Sequence, residues 1–217
     1  GITNTSNDYS SPPSWFVPPY VPVDVDFTSS NLPIIVIETN QGQDIPDEPK
    51  IDATMKIIYR GEGQRNFLTD VSNASILDYD GAIKIEVRGS SSALLDKKQY
   101  AFTPYDDLGE KINVSLLEMP KENDWILNGL AYDASYIRDY ISYKLSNQTG
   151  NYASRGRYCE VVLNGDFQGI YVLQEKLKAD DSRIDINKIK ETQLTLPKLT
   201  GGYITKTDKI EGSDTAA

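Results

Sequence analysis

The chain has 217 residues, 39% of them hydrophobic and 25% charged, which is enough apolar content for one sizeable core or two small ones. A formal charge of −10 argues against non-specific binding to polyphosphate chains. The absence of histidine excludes His-based triads and His-ligated metal centres, and the single cysteine excludes an internal disulfide.

Residues 1–32, rich in Ser, Asn, Thr and Pro, read as a tether stiffened by proline. No stretch approaches the roughly 18 consecutive apolar residues of a transmembrane helix. A polar tether behind a removed leader fits an exported bacterial protein, outside the cytoplasm, or one lipid-anchored ahead of residue 1; a cytosolic origin is the alternative.

Residues 33–78 form a β-rich leading segment. "PIIVIETN" from Pro33 predicts a buried strand, and "IDATMKIIYR" from Ile51 a second one. From Tyr79 to Ala217 the pattern becomes more specific. Ile83, Ile85 and Val87 alternate with Lys84, Glu86 and Arg88, so this strand has one wet face. "RGSSS" follows it directly. Glycine permits close backbone approach, and the Ser90 and Ser91 hydroxyls beside Arg88 could donate to an anion. Spacing alone favours the plainer reading, a polar turn whose serines bond their own backbone.

The next strand places Lys98 on the face of Tyr100 and Phe102, where an ammonium needs a counter-charge or an exit to water. "LLEMPKENDWILNG" from Leu116 reads as a loop anchored by Trp125, an aromatic plug under a helix. That helix is predicted from Asp133, a good N-cap, with Ala134, Ile137, Ile141 and Leu145 at helical spacing as its buried stripe. "YCEVVL", "NGDFQG" and "IYVLQEKL" predict a hairpin, with Cys159 an inert core thiol. On its second strand Glu175 shares an apolar face with Tyr171 and Leu173. Two opposite charges on two apolar faces suggest that Lys98 and Glu175 meet across a sheet or cleft. The competing reading leaves both at strand ends in solvent. "RIDINKI" and "GGYITKTDK" are shorter strand-like pieces. The acid-rich loops match no calcium-loop pattern, so no metal ligand is assigned.

The predicted fold is α+β, a mixed or antiparallel sheet packed on one main helix. "IEVRGSSSALLDKKQYAF", "NDWILNGLAYDASYIRDYISYKLS", "YCEVVLNGDFQGIYVLQEKLK", "RIDINKI" and "TGGYITKTDK" occur in an order that resembles the spore-coat protein H (CotH) kinase family. The resemblance implies the small lobe of an atypical protein kinase, found in spore coats and exported bacterial proteins. It binds ATP with Mg or Mn and phosphorylates Ser or Thr of a protein substrate. It further implies that Arg88, Ser90 and Ser91 lie near the phosphates, that Lys98 holds them with Glu175, and that the "LQEK" strand runs beside the adenine. The family's catalytic and metal-binding aspartates follow the "GGY" strand. None matching them is present here, so the sequence predicts a truncated portion with little catalysis. The alternative is a non-catalytic exported surface or adhesion-type binding module, for which fourteen tyrosines and an acidic surface suit a protein or glycan partner.

Overall fold

The computed structural model describes residues 26–187, 189–196, 199 and 202. The chain divides into two compact units, Gly1–Lys176 and Leu177–Ala217.

The first unit is a closed β-barrel. Its strands are β2 (Ile34–Thr39), β3 (Ile51–Ile58), β5 (Leu77–Arg88), β6 (Gln99–Tyr105), β7 (Trp125–Asn128), β8 (Gly156–Leu163) and β9 (Asp166–Glu175). They close in the order β2-β3-β5-β6-β7-β9-β8. Every pairing is antiparallel except the joint between β2 and β8, where Ile34 to Ile37 run parallel to Glu160 to Leu163. Two short strands, β1 (Ser29–Ser30) and β4 (Asn66–Phe67), pair with each other outside the barrel.

Alternation along each strand fills the interior. Ile35, Ile37, Met55, Ile57, Ile83, Ile85, Phe102, Trp125, Leu127, Val161, Tyr171 and Leu173 all point into it and are fully buried. Seven strands leave an interior about wide enough for such side chains and no channel. Strand β2 is apolar on both faces because a second cluster covers it from outside. There Ile34, Val36, Ile58 and Val162 pack against Phe27, Leu68, Val71 and Phe167. The Phe27 and Phe167 rings stack at 4.1 Å.

This architecture corrects the α+β expectation of an open sheet packed on a main helix, as in a kinase small lobe. The sheet closes on itself, so its apolar face is satisfied by its own opposite wall. The one α-helix among the described residues, α1 (Arg138–Gln148), contains no buried residue. Its expected core stripe is exposed: Ile137 by 48%, Ile141 by 45% and Leu145 by 56%. The predicted "WILN" loop is strand β7, and Trp125 plugs the barrel interior instead of sitting under a helix. Only four residues long, β7 is nevertheless the bridge between β6 and β9 that makes closure possible.

The β8–β9 hairpin forms as predicted, turning at Asn164-Gly165, where both residues have positive φ (51° and 85°) as a type I′ turn requires. In the second unit, Asp180 accepts hydrogen bonds from the Ser182 amide and hydroxyl, and Ala179 bridges to Ile184. "RIDINKI" makes no longer strand. "GGYITKTDK", apart from Gly202, lies outside the described residues.

Candidate functional site: a basic cleft under the helix

The connection from β5 to β6 forms one corner of the site. Arg88 ends β5 and donates to the Gln99 Oε1 across the strand pair at 3.2 Å. Its guanidinium is half-buried, and this desolvation lowers its pKa. The Tyr143 phenol of α1 lies within electrostatic reach and works the other way. Gly89 has φ +103°, and a Cβ there would fall 2.1 Å from the Ser92 Oγ, so no other residue fits this turn without rearrangement. A single 3-10 turn follows at Ser91–Leu94, with Ser92 buried beneath it and Ser90 and Ser91 exposed. Lys98 donates its Nζ to the Ala93 carbonyl at 2.8 Å, holding the end of that turn.

Arg88, Ser90, Ser91 and Lys98 therefore share one short connection. Glu175 does not join them. Tyr100 pairs with Leu127 and Leu127 with Leu173, which sets Lys98 level with Tyr171. Glu175 is then four residues further along β9, about 13 Å at ~3.3 Å per residue, and two strands away. Its carboxylate is fully buried and held by Arg155 instead, through Nε at 2.9 Å, Nη2 at 2.7 Å and the backbone N–H at 3.1 Å. The Tyr152 hydroxyl adds a fourth donor at 3.0 Å. The expected Lys98–Glu175 partnership is thus replaced by two separate arrangements. Lys98 braces a turn, and Glu175 orients an arginine.

That arginine belongs to a cleft of about 380 Å³ between α1 and the outer wall of β8 and β9. The helix stands off the wall because it is anchored only near its ends. At the start, Asp133 accepts the Arg138 backbone N–H at 2.8 Å and bonds both the amide and the hydroxyl of Ser135. Burial disfavours the Asp133 charge, but these hydrogen bonds and Arg138 outweigh it and pull its pKa down to about 2. The expectation of a helix N-capped by Asp133 is corrected: α1 starts at Arg138 with Ile137 in the N-cap position, and Asp133 reaches the Arg138 N–H from five residues back. Nearby, the Tyr158 hydroxyl donates to the Tyr136 carbonyl, and the Tyr140 ring packs on Tyr158 at 4.7 Å. At the far end, the Asn147 side chain bonds both the N–H and the carbonyl of Ala153.

Between these anchors the cleft has an apolar floor of Leu130 and Val172, tyrosine walls of Tyr140 and Tyr143, and amides from Asn147, Gln148 and Gln174. Lys144, Arg155 and Arg157 bring three cations to it, against the one carboxylate of Asp139. Among the described residues neither Lys144 nor Arg157 has a carboxylate within ion-pair distance. In a chain of charge −10, this is a local inversion of sign. Arg88 does not line the cleft, but it lies within electrostatic reach of Tyr143, which does.

Sequence reasoning missed Lys144, Arg155 and Arg157. The "SRGRY" segment was the available signal, with two arginines two residues apart at the start of a hairpin in an acidic chain. The hydroxyls and cations fit an anionic nucleotide chemically. Its metal finds no comparable fit. Among the described residues no three or more acids, cysteines or histidines converge to hold an ion. No helix of the described residues is long and apolar enough to cross a membrane.

A search of curated proteins returns no match. The CotH kinase protein family model matches residues 85–215, more than half of the chain and including every side chain of the corner and cleft. The chain belongs to the CotH kinase protein family.

Proposed function

We propose that the chain is the ATP-binding part of a CotH-type protein kinase, which transfers phosphate to Ser or Thr of a protein outside the cytoplasm. The base and sugar would occupy the cleft under α1, against Tyr140, Tyr143 and Val172. The phosphates would meet Lys144, Arg155 and Arg157 and run toward Arg88, Ser90, Ser91 and Lys98. Glu175 would act through Arg155. The observation that carries this reading is the gathering of three cations, Lys144, Arg155 and Arg157, around a tyrosine-walled cleft in an otherwise acidic family member. Bound ATP brings Mg or Mn, which supplies charge neutralisation of the phosphates. No step is assigned to that ion, because among the described residues no three or more acids converge to hold it.

Thermal stability measured against ATP, with and without Mg or Mn, tests the proposal. At a hundredfold excess over the dissociation constant, ligand linkage adds about 2.7 kcal/mol. That is a rise of roughly 5–11 °C at ~2–4 °C per kcal/mol. The double substitution Lys144→Ala/Arg157→Ala should abolish the rise. A wild-type chain indifferent to millimolar ATP would refute the reading. It would favour the second one, a surface binding module, which the exposed Ile137, Ile141 and Leu145 stripe supports.

A further inference from the structure

Lys97, the neighbour of the lysine singled out from the sequence, is built into the fold in a way that a wet-face lysine is not. Strand β7 stops at Asn128, and the Lys97 stem crosses the chain just beyond it, over Gly129. A Cβ on Gly129 would lie 3.4 Å from the Lys97 Cγ and 2.8 Å from the Lys98 carbonyl oxygen, so this notch needs glycine. The Lys97 Nζ then donates to the Ile170 carbonyl of β9 at 2.6 Å. The rings of Tyr171 and Tyr136 flank it at 4.8 and 4.9 Å. Among the described residues no carboxylate lies within ion-pair distance of it. The groups facing it are Tyr136 from the approach to α1, Tyr171 from β9, and Cys159 and Glu160 from β8.

Tyr136 is itself constrained. It holds a left-handed φ of +58°, which costs a non-glycine residue, and its carbonyl is fixed by the Tyr158 hydroxyl. Two residues later α1 begins, and α1 buries nothing of its own. The height of the helix above the wall is therefore set by its end anchors, and the Lys97–Tyr136 contact is one of them.

We propose that Lys97 is a positioning residue for the cleft: its charged head, fixed by the Ile170 carbonyl, seats the Tyr136 ring and so holds α1 over the β8–β9 wall. This couples the β5–β6 connection, which carries Ser90, Ser91 and Lys98, to the roof that carries Tyr143 and Lys144. The inference rests on the cleft being the nucleotide site, but its structural half can be tested without a ligand.

The experiment compares Lys97→Met with Lys97→Arg in the full chain, by amide hydrogen exchange and by ATP-dependent thermal shift. In Lys97→Met, exchange across residues 136–148 should rise about tenfold, the scale of a desolvated cation–π contact. Strands β3 and β5 should stay protected, and ATP affinity should fall by a similar factor. Lys97→Arg keeps the charge and should restore both. Unchanged α1 exchange in Lys97→Met overturns the proposal, as does equal loss in both variants, which would make packing and not charge the cause. If the wild type binds no ATP but the exchange results hold, the nucleotide reading fails and the positioning of α1 stands.

Discussion

Replacing Arg155 with methionine tests how the cleft floor is built. The Glu175 carboxylate is fully buried and accepts from the Tyr152 hydroxyl, the Arg155 backbone N–H and, twice, the Arg155 guanidinium. Methionine keeps the stem's volume and the backbone N–H but removes both charge-assisted bonds, each worth about 1.5–3 kcal/mol. The carboxylate would then be left buried without the Arg155 charge that faces it, a change that costs about 3–5 kcal/mol. For a unit of this size the melting temperature should fall by roughly 6–20 °C, at ~2–4 °C per kcal/mol. Glu175→Gln retains an acceptor for Arg155 and Tyr152 and should cost less than half as much. The double substitution Arg155→Met/Glu175→Leu should recover much of the loss, because no buried charge remains. Urea unfolding of the four proteins forms a double-mutant cycle. A single Arg155→Met change within about 0.5 kcal/mol of wild type, the range of an ordinary surface substitution, would refute the reasoning. Strict additivity in the cycle would refute it equally.

Two further outcomes follow from the geometry. Gly89→Ala places a Cβ 2.1 Å from the Ser92 Oγ at a φ of +103°. It should destabilise the chain by about 1–3 kcal/mol in chemical denaturation and lower ATP affinity by disturbing the serine turn. Alkaline stability should fall as well. Burial pushes Tyr79, Tyr100 and Cys159 up to about 12, above their ordinary values of 10.0, 10.0 and 9.0. The folded state therefore keeps protons that the unfolded state has lost. The stability these groups contribute is complete below about pH 9 and is lost progressively toward pH 12. Lys97 opposes this between about 8 and 10.5, since there the unfolded chain holds more protons. A urea midpoint that drops above pH 10, less steeply in Tyr100→Phe, is the expected measurement.

Local pattern carried part of this fold. Ile83, Ile85 and Val87 announced an inward face, and Asn164-Gly165 announced a hairpin turn, because both signals are complete within a few residues. Closure of the barrel has no such signal. It depends on β7, four residues behind a loop with left-handed Leu117 and Glu118, and on a parallel joint between strands more than 120 residues apart. The stripe of Ile137, Ile141 and Leu145 misled for a physical reason. Periodicity reports that a face is apolar, not that anything covers it. At the site, Arg88, Ser90, Ser91 and Lys98 were placed together by their sequence proximity. Arg155, Arg157 and Lys144 reach the cleft only through the hairpin and the helix, so their convergence is a property of topology. Lys98 drew attention by its strand face, but the crossing over Gly129 that distinguishes Lys97 depends on where β7 ends.

The parallel joint has a practical consequence for how the family segment behaves alone. A fragment starting at residue 85 would keep β6 to β9 but only the last four residues of β5, and would lose β2 and β3 entirely. The backbone groups of Glu160 to Leu163 would then line an open margin, a ready template for pairing with another molecule. Similarity boundaries and folding boundaries therefore do not coincide here. A recombinant fragment cut at the former should precipitate, and one begun ahead of Pro33 should stay dispersed.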